Sequence, residues 1–561
     1  MRRTLNGART AFSGLSARER ARAVLDAGTF RELLDPADRF ASPHLAAQGL
    51  VPQDDDGAVV ARGRIGGAPA VAVSLDGTFL GGAVGEVGGA KVAGALELAA
   101  RDAAAGTPIR PVLLLETGGI RLQEATLGLL AVADIHAAVT DLRRHVPVVG
   151  VIGGPIGCFG GMAIAAGLCT RLVMTARGRL GLNGPQVIEE EAGVGEFDAA
   201  DRGLILRTFG GRRRVADGFA DTLVADGAAE LRGAVRSAFA EGAGAEESVF
   251  RSGHVAASIA GLARHAPEAA PAAAARRAGT GDAGAAPATG RRGGVWIEAL
   301  IGAPVAPPPE GPASVRVADG ELGGRTARFL SVVADPAARW PRARAGEVGL
   351  EEGWALAAHV RAAVRADAVL PAGRKRVLVA IVDTPGQAYG YREELHGIHQ
   401  ALAGAVAAYA DARRSGHPVV ALVVGRAVSG GFLAHGLQAD RIVALDDGAV
   451  AVQAMSREAT ARLTRRTIAE LDAIARRVPA TADDIRSFAS LGAVHRLVTG
   501  VAADAPGAED ADAVRAALAE AAADARSAPV GLSARLRSAG ARNDRAASRE
   551  VRRRLTAAWG G

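Results

Sequence analysis

Two glycine-rich turns in each half of this 561-residue chain fall directly after an apolar run and before a helical one. In the first half they are Thr117-Gly118-Gly119 and Gly153-Gly154-Pro155-Ile156-Gly157-Cys158-Phe159-Gly160-Gly161. In the second they are Thr384-Pro385-Gly386 and Gly425-Arg426-Ala427-Val428-Ser429-Gly430-Gly431. A strand-to-helix turn points free backbone N–H groups outward at the helix N-terminus. Glycine lets a ligand approach that backbone closely. Two such turns facing each other offer two N–H groups to one oxygen, which is an oxyanion hole, each donor worth about 3 kcal/mol in a transition state. The expected donors are Gly118, Gly119, Gly160 and Gly161. Glycines that serve only tight helix–sheet packing are the competing reading, and the recurrence of both turns in both halves weighs against it.

Other chemistries find less support. There is no GxxxxGK[ST] and no strand-borne GxGxxG with a downstream acid, so nucleotide binding of those kinds is not indicated. Ser429 is not in a GxSxG elbow, because residue 427 is Ala. Cys158 has no base beside it in sequence and reads as a small buried thiol, and Cys169 as core. His396 and His399 lie three apart without a third ligand, so no metal site is expected. Tyr391, His396 and His435 are candidate proton donors beside the second-half turns, and water is an alternative to them. His136 reads as structural. Glu116 and Glu124 read as caps or ion-pair partners of Arg121.

The elements that must position these turns repeat. Ala70–Leu75, Pro111–Leu115, Val146–Ile152 and Leu172–Thr175 read as strands, alternating with helices over Glu86–Ala105, Leu122–Arg144 and Phe159–Leu168. The second half repeats the order: strands Arg328–Val333, Val377–Val382, Pro418–Val424 and Arg441–Leu445, helices Glu347–Arg365, Glu393–Arg414 and Gly430–Leu437. Continuous apolar strands between helices argue for a parallel sheet covered on both faces. Sequence blocks recur too. Gly85-Glu86-Val87-Gly88 returns as Gly346-Glu347-Val348-Gly349, Val146–Gly150 as His417–Ala421, and Gly160-Gly161 as Gly430-Gly431, at shifts of 261, 271 and 270. Two homologous halves follow. A helix over 15–34, with Ser16 and Glu19 forming a capping box, is expected to lead, and helices over 508–526 and 530–556 to close the chain. The domains are placed at 1–254, 295–505 and a helical basic tail at 506–561. The Ala/Pro/Gly-rich stretch 255–294 between them reads as a flexible linker.

Composition sets the outer limits. The chain is 49% hydrophobic and 22% charged, so it can fill large cores, but only 4% aromatic, so those cores are built from small aliphatic residues. Two cysteines exclude a disulfide scaffold, and no CxxC pair offers a zinc site. That fits a reducing cytoplasm. The net charge of +6 is concentrated: residues 526–561 carry nine Arg against Asp544 and Glu550. The uncharged run Val146–Thr170 is long enough to span a membrane, but its prolines and glycines fit a strand, turn and short helix better. Neither a membrane segment nor nucleic-acid binding is expected.

Beyond these patterns the residues carry a resemblance. Glu116-Thr117-Gly118-Gly119-Ile120-Arg121-Leu122-Gln123-Glu124 resembles the signature of carboxyltransferase β-type domains, and Gly81-Gly82 through Glu86 with Lys91 resembles their upstream segment. Asp383-Thr384-Pro385-Gly386 and Arg426-Ala427-Val428-Ser429-Gly430-Gly431 resemble the paired α-type domain. The match is denser to biotin-independent malonate decarboxylase. Gly157-Cys158-Phe159-Gly160-Gly161-Met162 and Gly181-Leu182-Asn183-Gly184-Pro185 are similar to its β subunit. Gly346–Trp354, Gln387–Glu394 and Asp484–Ala489 are similar to its γ subunit.

The resemblance implies an α/β fold of two tandem crotonase-like domains (ββα superhelices) of carboxyltransferase type, the two subunits being fused. It implies a malonyl thioester on an acyl carrier protein with a phosphoribosyl-dephospho-coenzyme A arm, loaded by a separate acetyl-S-ACP:malonate ACP transferase subunit. This chain would bind no cofactor covalently. With the chemistry read from the residues, the expected catalytic positions are Gly118, Gly119, Gly160, Gly161, Tyr391 and His396. Substrate-binding positions would be Lys91, Gly157, Cys158, Phe159, Ser429, Gly430, Gly431 and His435. At least a homodimer within a larger assembly is implied. A carboxyltransferase that hands CO2 to biotin, and a non-catalytic thioester-binding scaffold, are the alternatives.

Overall fold

The chain lays down its strands in nearly simple sequence order. A computed structural model describes residues 11–241, 259 and 290–560. The first half forms a seven-stranded sheet, β1 (Arg31–Leu33), β2 (Ala58–Ile65), β3 (Ala68–Leu75), β4 (Arg110–Leu114), β5 (Val149–Ile152), β6 (Arg171–Thr175) and β7 (Thr222–Val224), each beside the next. The second half runs β8 (Val315–Leu322), β9 (Arg325–Val332), β10 (Val377–Thr384), β11 (Val419–Val428), β12 (Arg441–Leu445), β13 (Ala451–Gln453) and β14 (Arg496–Val498). There β13 pairs with the far end of β11, and β14 takes the place beside β12.

Both sheets carry an antiparallel hairpin, β2–β3 (with β1 antiparallel beside β2) and β8–β9, and continue parallel. The hairpins share one device. Gly66 and Gly67 have φ of +57° and +78°, and Gly323 and Gly324 have +58° and +71°. Two consecutive left-handed residues make the turn whose twist matches that of the strands. The central strands are buried along their whole length, as strands covered on both faces must be.

The helices of the first half that concern the site are α1 (Ala17–Val24), α2 (Glu86–Ala104), α3 (Ala125–Leu142) and α4 (Gly161–Leu168). The Ser16–Glu19 capping box is present, but the helix it starts stops at Val24, and the expected continuation to residue 34 is instead a loop and β1. The segment Leu122–Leu142 is long and apolar enough to cross a membrane, and 89% of its most apolar stretch is buried inside the protein. Val146–Thr170 resolves into β5, a turn and α4.

Three further expected elements differ in the structure. The helix over Glu393–Arg414 is two, Tyr391–Leu395 and Ile398–Arg414, broken where Gly397 turns left-handed at φ +73°. The strand expected to end at Val424 runs to Val428, because Arg426, Ala427 and Val428 pair with β13. The helix over 530–556 breaks into Leu532–Leu536, Ala539–Asp544 and Ala546–Trp559.

By packing, the chain divides into a first unit of residues 1–182, 202–249 and 546–561 and a second of 183–201 and 250–545. The stretch expected as a linker, 255–294, lies mostly outside the described residues, and its end is helical from Arg292. The C-terminal helix Ala546–Trp559 belongs to the first unit and packs on α2. Ser548 donates N–H and hydroxyl to Glu86 (2.8 and 3.0 Å). Arg552 pairs with Glu97 and Asp134 (3.0 and 3.1 Å), Arg554 pairs with Asp38 (2.9 Å), and Trp559 donates its indole N–H to Asp102 (2.6 Å). Acids of its own unit meet this part of the basic C-terminal stretch.

Strand pairing also fixes the true register of the repeat. Val84 pairs with Ile120 and Val348 with Gln387; Thr117 pairs with Cys158 and Thr384 with Ala427. Gly82-Ala83-Val84-Gly85, and not the more similar Gly85–Gly88, therefore matches Gly346–Gly349, and Ile120 matches Gln387. Gly160 matches Ser429 and Gly161 matches Gly430, one residue earlier than the paired glycines suggest.

Candidate functional site

In the first unit β4 and β5 deliver the two glycine turns side by side. A Cβ built on Gly119 meets Gly160 Cα and Phe159 O at 3.0 Å, and one on Gly160 meets Gly119 Cα at 3.1 Å. Their φ values are +106° and +60°, so glycine is required here by backbone conformation as well as space. Glu116, the last residue before the first turn, ties the second turn to it. Its carboxylate accepts the N–H of Ile156 (2.7 Å) and Gly157 (3.2 Å) and pairs with Arg20 (3.1 Å). Asp383 does the same in the second unit, accepting from Arg426 N–H (3.1 Å) and Arg292 N–H (2.8 Å).

The turns meet as expected, but three of the four expected donors are already committed. Gly118 N–H donates to Gly81 O (2.8 Å), Gly119 N–H to Thr117 Oγ1 (3.0 Å) and Gly160 N–H to Leu182 O (2.8 Å). Ile120 N–H and Gly161 N–H, one from each turn, donate to no protein acceptor among the described residues. Ile120 N lies 3.9 Å from the position a Cβ of Gly160 would take. Gly119 and Gly160 supply the close approach, and the residue after each of them, Ile120 and Gly161, supplies a free donor. Ile120 was missed because its apolar side chain carries no signal; only its place after Gly118-Gly119 points to it.

His136 holds the second donor in place. Its Nε2 donates to Gly161 O at 2.8 Å; a carbonyl can only accept, which fixes the tautomer. Burial lowers its pKa to about 4, so it stays neutral. Next to the first turn, Arg121 is buried between Asp56 and Glu124, each at 2.6 Å. Glu124 also accepts from Ser42 (2.8 Å). This cluster clamps the start of α3 behind the turn.

The remaining expected site residues fall in varied places. Phe159 is buried, its ring edge-on to Phe209 at 5.5 Å. Gly157 packs so tightly that a Cβ would meet Arg179 O at 2.4 Å. Cys158 is fully buried, and desolvation pushes its thiol well above its ordinary pKa, which leaves it protonated. Lys91 is fully buried too. It donates to Leu34 O (2.9 Å) and Asp55 O (3.3 Å), burial lowers its pKa to about 8, and its ammonium is turned into the protein instead of toward a substrate.

In the second unit His435 is buried, accepts from the Tyr409 hydroxyl at Nδ1 (2.9 Å) and donates to Ile381 O from Nε2 (3.0 Å). Burial holds it near pKa 4. Both ring nitrogens are used, so it supplies no proton to a bound substrate. Tyr391 starts its short helix with its ring 6.0 Å from Phe197 and its N–H on Glu196 (2.9 Å). His396 ends that helix, edge-on to Trp340 at 5.8 Å. Among the described residues no group of His, Cys, Asp and Glu is arranged to hold a metal.

The second unit's turns keep the shape but not the opening. Gly386 N–H bonds Thr384 Oγ1 (3.3 Å), as Gly119 does Thr117. Ser429 stands where Gly160 does and takes the same left-handed backbone, φ +48°. Gly430 N–H, the match of Gly161, is occupied by Gln387 Oε1 at 2.9 Å. Gln387 is held by Asn183, whose Oδ1 accepts from it (2.9 Å) and whose Nδ2 donates to Ala388 O (2.9 Å). Gly431, the next residue along, packs against the first turn: a Cβ on it would meet Gly386 O at 2.5 Å.

Fold and turns together define a carboxyltransferase-type protein with two crotonase-like units in one chain. Residues 13–236 match the carboxyl transferase domain and 343–559 the malonate decarboxylase γ subunit. The chain is 42% identical over 231 residues to a malonyl-S-ACP:biotin-protein carboxyltransferase subunit of Malonomonas rubra, covering 39% of this chain and 73% of that one. It is 48% identical over 107 residues to the companion subunit, covering 19% of this chain and about a third of that subunit's length (37%). A solved Pseudomonas malonate decarboxylase hetero-tetramer in complex with malonate shares 58% identity over 43% of this chain and 87% of that one, with a TM-score of 0.42. The chain belongs to the carboxyltransferase subunits of malonate decarboxylases, with its β-type and γ-type parts fused.

Proposed function

We propose that this chain decarboxylates malonyl-S-acyl carrier protein to the acetyl thioester and CO2, and that the thioester oxygen sits on the first unit. The observation that carries this reading is the pair of unclaimed N–H groups, Ile120 and Gly161, at the closest approach of two turns. When the C–C bond to the carboxylate breaks, its electron pair moves onto the α-carbon and, by conjugation, onto the thioester oxygen. Two fixed donors stabilise that charge as it develops more than they stabilise the ground-state carbonyl. A proton then adds to the α-carbon, completing acetyl thioester. Tyr391, His396 and water stay in consideration as its source, and the buried, doubly bonded His435 does not.

The family supports the partners. The malonyl group would ride on the phosphoribosyl-dephospho-coenzyme A arm of a carrier protein, be loaded by a separate acetyl-S-ACP:malonate ACP transferase subunit, and be processed without a cofactor held covalently by this chain. A cytoplasmic, multi-subunit assembly containing at least two copies of this chain goes with that reading.

A second reading has its own support, because both Malonomonas relatives are named as biotin-protein carboxyltransferases. In that reaction the carboxyl group passes to biotin on another protein. One experiment separates them: mass spectrometry of malonyl-carrier protein, with malonyl-CoA as surrogate, incubated with purified protein with and without avidin. Acetyl thioester formed regardless of avidin is the expected result. Turnover only with a biotin carrier present assigns the transferase, and no turnover of correctly loaded carrier sinks both.

A further inference from the structure

The second unit holds a cavity of about 320 Å3 apart from the glycine turns of the first unit. Its wall includes Arg342, Arg344 and Arg426, the carboxylates Glu191 and Glu347, and Tyr389. The charges in it are unequally satisfied. Arg342 pairs with Glu196 (3.1 Å). Arg344 donates from Nε to Ala338 O (2.9 Å) and meets no carboxylate among the described residues. Arg426 is fixed through its backbone, whose N–H is held by Asp383 (3.1 Å), while its guanidinium makes no hydrogen bond or ion pair among the described residues.

Neither acid in the wall forms an ion pair with Arg344 or Arg426 among the described residues. Glu191 accepts from the Ser456 hydroxyl (3.0 Å). Glu347 accepts from Ala345 N–H (2.9 Å), and burial pushes its carboxyl above the usual range while the charges of Arg342 and Arg426 oppose that rise. Burial also pushes the Tyr389 phenol up, so it stays a protonated donor. A guanidinium is charged at every relevant pH and presents a fork of N–H groups that fits a carboxylate or phosphate. Two such forks without a carboxylate partner, beside a neutral phenol in a cavity, describe a site for an oxyanion.

We infer that this cavity of the second unit binds a small oxyanion, carboxylate or phosphate, between Arg344 and Arg426. Two sources present that chemistry to a malonyl-carrier enzyme: the free carboxyl of a malonyl group, or the phosphates of the carrier's arm. The site stands whether or not the decarboxylase reading does, because its test is binding and not turnover.

The test uses the full-length protein and isothermal titration at constant ionic strength, with sodium malonate in one arm and inorganic phosphate in the other. One saturable site per chain is expected in at least one arm. Arg426→Gln and Arg344→Gln are each expected to weaken it tenfold or more, the loss of a charge-assisted contact, and Arg426→Lys to weaken it less than Arg426→Gln. Circular dichroism and melting temperature establish that each variant is folded. Tighter malonate binding assigns the carboxyl source and tighter phosphate binding the arm. Absence of saturable binding in both arms, or equal affinity in wild type and both folded glutamine variants, overturns the inference.

Discussion

Gln387 Oε1 accepts the Gly430 N–H at 2.9 Å, and the residue in its place in the first unit, Ile120, has no side-chain atom that can do the same for Gly161. The repeat has therefore kept two turns of one shape and given them opposite states. One leaves its helix-terminal donor open, and the other fills it with an amide oxygen of its own chain. An amide oxygen at hydrogen-bond distance imitates what an oxyanion would do there, so the second unit holds its donor satisfied without a ligand.

Gln387→Leu removes that acceptor. Gly430 N–H and the Asn183 side chain lose a buried partner, and stability is expected to fall by about 1–3 kcal/mol. Malonyl-thioester turnover, assigned to the first unit, should stay within about fivefold of wild type for folded protein. Urea denaturation reads the first and steady-state kinetics the second. A hundredfold loss of kcat in a variant that still melts cooperatively would place the reacting thioester on the second unit instead.

Gly161 is the first residue of α4, where proline is tolerated because the N–H it lacks has no helical partner. Gly161→Pro thus deletes one proposed oxyanion donor while leaving the helix an acceptable first residue. The expected loss is about 10²–10³ in kcat, with KM changed little, since the donor matters most when charge has built up on oxygen. Circular dichroism and melting temperature check that α4 survives. Unchanged kcat in folded protein would remove Gly161 from the mechanism.

Cys158 lies beside these turns, and only its environment decides whether it reacts. A thiol held protonated by burial is a poor nucleophile. In native protein Cys158 is expected to resist iodoacetamide for hours at neutral pH and to react within minutes once unfolded, as read by peptide mass spectrometry. Cys158→Ala is expected to keep turnover within about threefold. Rapid native alkylation accompanied by loss of activity would give the thiol the chemical role denied to it here.

The alternation of strands and helices was legible in the sequence because continuous apolar strands such as Val377–Val382 leave little choice. The two meeting turns were legible because glycine marks where a backbone must come close. The donors were not, since whether Gly118 N–H is free depends on Gly81 O, a residue 37 positions away. The repeat register misled at Gly85-Glu86-Val87-Gly88 because identity of letters outweighed the strand bridge at Val84. The hairpins were overlooked although Gly66-Gly67 and Gly323-Gly324 are plain two-residue turn signals. The Arg344 and Arg426 cavity draws on residues from five separate stretches of chain, and no local pattern joins them.

The buried histidines make the last prediction. His136 and His435 each sit near pKa 4 through burial, against about 6.5 in an unfolded chain. Between those values the unfolded state binds the extra proton and the folded state does not. The stability these two histidines contribute is therefore full above about pH 6.5, falls as pH drops through the window and levels off below about pH 4. Each histidine contributes at most about 3 kcal/mol to that fall. His136→Gln, which can still donate to Gly161 O, should differ from wild type by removing up to about 3 kcal/mol of the stability change between about pH 6.5 and about pH 4, read by urea denaturation. The same variant should retain most activity at pH 7, since the donated hydrogen bond and not the imidazole's charge holds Gly161. A pH–stability curve unchanged by His136→Gln would mean that His136 keeps its ordinary pKa in the folded protein.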